Sequence, residues 1–302
     1  MKLAKILKHV RVDKPDKFRL TDHDTAEDFG LDIDKGEAKA RLAEGVKALG
    51  DLQERLYAQD RWAVLAIFQG MDAAGKDGAI KHVMSEVSPQ GCEVHSFKAP
   101  STEELDHDFL WRCAQRLPPR GRIGIFNRSY YEEGLVVRVH SELLEREKLP
   151  KQLVTKDIWK HRFKDIRAFE RYLARNGILI VKFFLNISKE EQRRRFLARL
   201  EEPSKRWKFS MDDVAERQHW DSYMSAYEDM IRSTSHESAR WHVVPADNKA
   251  MARLIVAEAM IEAMDRLDLA FPKVTGAALA ELTKVRKALV AESPREKRRK
   301  AR

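Results

Sequence analysis

The feature that most constrains this chain is a junction. An apolar run at residues 62–68 leads into Gly70-Met71-Asp72-Ala73-Ala74-Gly75-Lys76-Asp77-Gly78, and a helical pattern starts at Ala79. Strand, glycine loop and helix N-terminus in this order match the GxxxxGK spacing of a phosphate-binding loop. Glycines let backbone N–H groups converge on phosphate oxygens, the helix dipole favours negative charge there, and Lys76 adds a mobile cation. The plainer alternative is a glycine-rich turn carrying an ordinary surface lysine, and the flanking strand and helix argue against it. Gly70, Ala73, Ala74, Gly75, Lys76 and Asp77 are therefore the expected phosphate-binding positions. The loop departs from the common form at Asp77, which stands where a Ser or Thr hydroxyl normally holds Mg²⁺. Another oxygen ligand is needed. Asp72 would be repelled by bound phosphates unless a metal sat between them, so it is assigned to metal binding.

Short apolar, β-branched runs recur at residues 62–68, 93–97, 122–126, 178–185 and 241–244, alternating with helical patterns. That alternation predicts a parallel sheet covered on both faces, an α/β architecture. Leu42, Val46, Leu49, Leu52 and Leu56 make the apolar stripe of a helix over 37–59. Ser188 followed by Glu190 and Glu191 reads as a capping box opening a helix to about residue 200, and Ser210 or Asp212 can cap another running to about 233. Residues 1–35 read as an irregular arm. A last helix is expected near 277–291, followed by a charged tail expected to be disordered.

In open α/β sheets ligands bind outside the carboxyl ends of strands, which places Asn127-Arg128-Ser129, after the third strand, beside the phosphate loop. Arg128 is then a phosphate clamp able to hold two oxygens in a planar fork, although a lone arginine after a strand is more often simply exposed. Arg193, Arg194 and Arg195 face three sides of one helix, so at least one must turn toward the sheet or the crevice. A basic lid over phosphates and a solvated helix face stand level as readings of that run.

Charge narrows the partners. Fifty-seven Lys and Arg against 48 Asp and Glu give +9, and residues 293–302 contribute +5 of it. The sign points to polyanions. Two internal stretches are also basic: five arginines and no acid at 109–131, and seven cations at 193–208. Aromatic residues are not interleaved with these runs as stacking platforms would be, which disfavours nucleic acid. No apolar run approaches the length of a membrane span and no secretory signal is read, so no membrane is expected and the cytosol is the expected location. Cys92 and Cys113 are too few for a disulfide framework and lack zinc-site spacing.

With these residues in place, the chain resembles the polyphosphate kinase 2 family, the one-domain polyphosphate:nucleotide phosphotransferases. The likeness covers about residues 15–270 and rests on FQGMDAAGKDGAIKHV at 68–83, IGIFNRSYYEEGLVVRVH at 123–140 and EEPSKRWKFSMDDVAERQHWDSYMSAYEDMI at 201–231. The resemblance implies a three-layer α/β/α P-loop kinase fold over 36–270 with a helical lid at about 190–212, preceded by the 1–35 arm and followed by the C-terminal helix and tail at 271–302. It implies phosphoryl transfer between inorganic polyphosphate and a purine nucleotide, Mg²⁺ as cofactor with Mn²⁺ as a substitute, and a homo-oligomer, dimer or tetramer. Carried over residue by residue, Asp72 and Lys76 are the catalytic pair of the loop, Arg128 is a third catalytic, phosphate-binding residue, and Arg193, Arg194 and Arg195 belong to the lid. Where many relatives carry Asp before the Arg-Ser pair this chain has Asn127, which can reach a metal only through its amide oxygen or a water. Two alternatives use the same loop: an ATP-dependent nucleotide or nucleoside kinase, and a nucleic-acid-binding P-loop protein. Product formed from polyphosphate and ADP or AMP without ATP separates them.

Overall fold

A computed structural model of the chain describes residues 3–30, 35–208 and 210–291. The chain divides into a unit ending at Leu269 and a second starting at Ala270. Five strands form the sheet of the first unit: β1 (Ala63–Gln69), β2 (Cys92–Ser96), β3 (Ile123–Asn127), β4 (Ile178–Asn186) and β5 (Trp241–Pro245). All pair in parallel, in the order β2-β3-β1-β4-β5. All seven residues of β1 are buried, as a central strand covered on both faces must be. The principal helices are α1 (Leu3–Val10), α2 (Lys35–Gln59), α3 (Lys76–Val83), α4 (Ile158–Arg175), α5 (Lys189–Glu201), α6 (Met211–Glu216), α7 (Trp220–Thr234), α8 (Lys249–Asp265) and, in the second unit, α9 (Ala277–Ala291). Helices α1, α2 and α3 pack with α8, while α4 packs with α7 and against β4. The α/β/α layering follows. Among the described residues no helix is long and apolar enough to cross a membrane.

Two expectations change. The 1–35 segment is not irregular throughout, because α1 buries Ile6, Leu7 and Val10 against the core. Their one- and four-residue spacing is a single helical face, too short a stripe to stand out beside the lysines around it. The chain after α1 is tied down by Val12, whose N–H donates to the Trp241 carbonyl (2.9 Å), and by Arg11, which pairs with Glu262 (2.9 Å). The single helix expected over 210–233 is instead α6, a short 3₁₀ turn at Arg217–His219 and α7. The break falls at Arg217, whose guanidinium reaches the Lys189 carbonyl and the Gln192 side chain on α5. The expected disordered tail at 293–302 lies outside the described residues.

Under α1, His242 of β5 is buried and donates from Nδ1 to the Lys182 carbonyl (3.2 Å). Burial pushes its imidazole down to about 4. The unfolded chain therefore takes up a proton near pH 6.5 that the folded chain refuses until about pH 4. Stability should fall as pH drops through that window, by roughly 2–3 kcal/mol from this one group. Urea unfolding at pH 7 and pH 4.5 measures the drop, and His242→Gln should flatten it.

Candidate active site

Strand β1 delivers the glycine loop to the carboxyl edge of the sheet. Gly70 has φ +153°, and a Cβ there would sit 2.9 Å from the Leu185 carbonyl oxygen, so no other residue fits. Gly75, at φ +105°, caps the N-terminus of α3 in a left-handed conformation. Lys76 is buried and turns back over the loop, donating from Nζ to the Gly70 (2.6 Å) and Met71 (3.2 Å) carbonyls. Burial lowers its ammonium pKa, with Arg128 adding to the effect and Asp72, Glu132 and Asp77 opposing it. The cation is thus held in place by weak carbonyl partners that an anionic phosphate can outcompete.

Register brings the second segment alongside. Phe68 faces Asn127 across the β1–β3 ladder, and the Arg128 N–H donates to the Phe68 carbonyl (3.0 Å). Arg128 itself sits at φ +64° and Ala73 at φ +61°, two non-glycine residues in the left-handed region within one site. Such positions cost about 1–3 kcal/mol each and cluster where a backbone is forced for function. The turn aims the Arg128 guanidinium at Asp72, with Nη2 2.7 Å from Oδ1. Burial opposes its charge, but Glu132 and Asp72 outweigh burial and raise its pKa further. The Asn127 amide nitrogen donates to Asp77 Oδ1 (2.8 Å), leaving its oxygen as the atom that could meet a cation.

The arginine run divides sharply. Arg193 and Arg194 are exposed and pair with Glu190 and Glu191 one turn back along α5. Arg195 is buried beneath the loop. Its Nη1 donates to the Ala73 and Ala74 carbonyls (both 2.9 Å), its Nη2 to the Ala246 carbonyl (2.6 Å) after β5, and its Nε to Glu191 (2.7 Å). With the Asp247 carbonyl (3.2 Å) as a further acceptor, this guanidinium is spent on backbone and carboxylate oxygens and is a strut that fixes the phosphate loop against β5. As a result, the structure brings Arg195 to the site and leaves Arg193 and Arg194 facing solvent. Arg193→Ala/Arg194→Ala should change kcat/KM by less than about fivefold, since exposed pairs contribute under about 1 kcal/mol. Arg195→Ala strips buried loop carbonyls of their donors and should cost about 1–3 kcal/mol. Parallel kinetics and thermal melts of both variants check this.

The cleft enclosed by these elements has a volume of about 1050 Å³, and Lys98, Arg199, Lys205, Lys249 and Arg253 also line it. Of the basic stretch at 109–131 only Arg128 reaches it. Arg112 instead pairs with Glu104, Arg120 with the Arg61 carbonyl and Arg122 with Glu93. The sequence reading missed Lys249 and Arg253, which follow β5 as Lys76 follows β1, so the strand-end rule could have found Lys249. It also missed Gln192, a buried amide on α5 that donates to the Asp72 carbonyl (2.9 Å). Asp213 lines the cleft from α6 with Arg199 at 3.5 Å, and burial first, then Asp72, raises its carboxyl pKa.

No cluster of three His, Cys, Asp or Glu able to hold a metal exists among the described residues. Mg²⁺ does not require one, because it binds through one or two carboxylates, water and substrate phosphates. Asp72 and Asp213 both line the cleft beside the phosphate loop, and this pair of carboxylates fits such an ion.

A parallel sheet carrying a phosphate loop at the point where strand order reverses, with an arginine from the next strand end at its side, defines a P-loop kinase-like phosphotransferase. The polyphosphate kinase 2 (PPK2) family profile matches residues 32–272. The chain belongs to the polyphosphate kinase 2 family. It is 55% identical over 246 residues, 81% of its length and 85% of the relative's, to an ADP-polyphosphate phosphotransferase of Rhodopseudomonas palustris. It is 42% identical over 267 residues, 88% and 96% of the two chains, to an AMP/ADP-polyphosphate phosphotransferase of Meiothermus ruber. A crystal structure of polyphosphate kinase 2 from Arthrobacter aurescens superposes with a TM-score of 0.85 at 40% identity, covering 97% of this chain and 98% of that one.

Proposed function

We propose that the protein transfers a phosphoryl group reversibly between inorganic polyphosphate and a purine nucleotide, converting AMP or ADP to ADP or ATP with Mg²⁺. The observation that carries this reading is the convergence of Lys76, Arg128 and Asp72 at one strand edge, with the Arg128–Asp72 pair at 2.7 Å. The names of the two relatives, which specify ADP and AMP/ADP with polyphosphate, supply the substrate class.

Phosphoryl transfer passes through a loose transition state with charge on the equatorial oxygens, so positioning and cations do most of the catalysis. The loop N–H groups and the start of α3 bind one phosphate. Lys76 exchanges the Gly70 and Met71 carbonyls for its oxygens, and Arg128 swings its planar fork from Asp72 onto the transferring group. Asp72, with Asp213 and the oxygen of Asn127 nearby, would hold Mg²⁺, which neutralises charge on the phosphates when bound. The attacking terminal phosphate of the nucleotide is already ionised, so no side chain has to act as general base. Arg195 and Gln192 hold the loop in place throughout.

Incubation with AMP or ADP, Mg²⁺ and polyphosphate in the absence of ATP, followed by chromatography, tests the proposal. New ADP or ATP is expected. Phosphorylation that occurs only with ATP as donor would overturn it in favour of an ordinary nucleotide kinase.

A further inference from the structure

A second group of cations lies on a helix outside the cleft. On α4, Lys160, Lys164, Arg167, Arg171 and Arg175 recur at intervals of three or four residues. At 3.6 residues per turn they fall within a sector of about 80°, on a ladder about 22 Å long. Lys160, Lys164, Arg171 and Arg175 are exposed, and Arg167 is half-buried with Nη1 3.5 Å from the Ser233 carbonyl.

Several exposed helical arginines elsewhere in the chain are paired along their own helix. Arg41 with Glu37, Arg193 with Glu190, Arg194 with Glu191, Arg232 with Glu228 and Arg266 with Glu262 are all partners one turn apart. On α4 the five cations have no carboxylate within ion-pair distance among the described residues. The acids of that helix point elsewhere: Glu170 is buried, and Asp165 lies about 120° around the helix from the stripe. Like charges at these spacings destabilise a helix, so the ladder is unfavourable within the folded chain by itself.

Its direction matters as well. Helix α4 returns the chain to the start of β4 through Asn176 and Gly177, so it runs antiparallel to the strands. Its Lys160 end lies toward the sheet edge that carries the phosphate loop. Two residues past its Arg175 end, the Arg120 guanidinium packs beside Gly177. The helix exposes Tyr172 as its one large aromatic, so the ladder offers charge without a series of stacking platforms, which suits a linear polyanion that has no bases.

We propose that this face of α4 is a secondary binding track for inorganic polyphosphate, engaging the part of a long chain that the catalytic cleft does not hold. The assignment rests on the polyphosphate reading of the active site. It would raise the local concentration of donor at the cleft while leaving the chemical step untouched.

The test is K160E/K164E/R171E/R175E, alongside the neutral quadruple glutamine variant, with circular dichroism to establish folding. Both should keep the kcat for tripolyphosphate and for long chains. For chains of several hundred phosphates the KM should rise at least fivefold in the reversed variant and less in the neutral one. The dependence of that KM on salt should become shallower, because fewer counterions are released. An unchanged long-chain KM in folded variants would overturn the track, and so would duplex DNA displacing labelled polyphosphate from the wild type at equal charge concentration. Wild-type protein inactive with every polyphosphate would overturn the active-site reading instead, a result distinct from either.

Discussion

Lys76→Ala is expected to lower kcat/KM for polyphosphate by about 10²- to 10³-fold, equivalent to roughly 2.7–4 kcal/mol of transition-state stabilisation. Three features set that size. The ammonium is buried against the loop, so its charge acts in a poorly screened site. Its present partners are two neutral carbonyls, so its strongest interaction is kept for an anion. Finally, the loop geometry around it is fixed independently by Gly70, Gly75 and Arg195, so nothing else can move in to replace it. The same independence predicts that the variant stays folded, with a melting temperature close to wild type. Steady-state kinetics on protein of verified fold decides the matter, and a variant within tenfold of wild type would remove Lys76 from the catalytic machinery. Asp72→Asn should produce a comparable loss and additionally shift the Mg²⁺ requirement upward.

Lys182→Met should destabilise the fold by about 3–5 kcal/mol, the cost of leaving a buried charge without its partner. At roughly 2–4 °C per kcal/mol for a chain of this size, the melting temperature should fall by about 10 °C. Lys182 lies in the middle of β4, fully buried, and donates to Glu170 (2.7 Å), the Tyr131 hydroxyl (2.8 Å) and the Thr234 carbonyl (2.9 Å). Burial pulls its ammonium down to about 8 against the pull of Glu170. Burial also opposes ionisation of Glu170, but Lys182 and the bonds from His236 and Tyr131 outweigh it and keep the carboxyl below its usual range. Both Tyr130 (3.0 Å) and Tyr131 (2.7 Å) donate to one oxygen of that carboxylate, and they stand two and three residues after Arg128. The pair therefore anchors the segment that carries the phosphate clamp. Lys182→Met/Glu170→Gln should recover part of the lost stability, because no lone charge remains. Thermal melts of the single and double variants measure the difference, and equal losses in both would show that the buried charge is not the cause.

Much of the fold was legible because it depends on local pattern. The five strands start and end within two residues of the runs read from the sequence. The central strands are legible because burial on both faces demands apolar residues, whereas the edge strand β2 is half-exposed and carries Glu93 and His95. Lys182, the polar interruption within β4, gave no hint of its partner, because Glu170, Tyr131 and Thr234 reach it from other elements. Helix α1 was missed because its apolar face is only two turns long. The break between α6 and α7 was missed because Arg217 bonds to α5, nearly thirty residues back.

The sequence by itself determined the chemistry of the phosphate loop, because GxxxxGK works through glycine torsions and a helix N-terminus, both local properties of the backbone. It also placed Arg128 beside that loop, since parallel strands deliver their carboxyl ends to one edge. What each arginine does was decided only by tertiary structure. Arg193, Arg194 and Arg195 are identical in the sequence, and a rotation of 100° per residue sends two into solvent and one beneath the loop. The stripe on α4 is spread over sixteen residues among apolar and acidic ones, so it never registers as a basic run. Only the helical winding gathers its charges, and only the packed structure shows that no acid answers them.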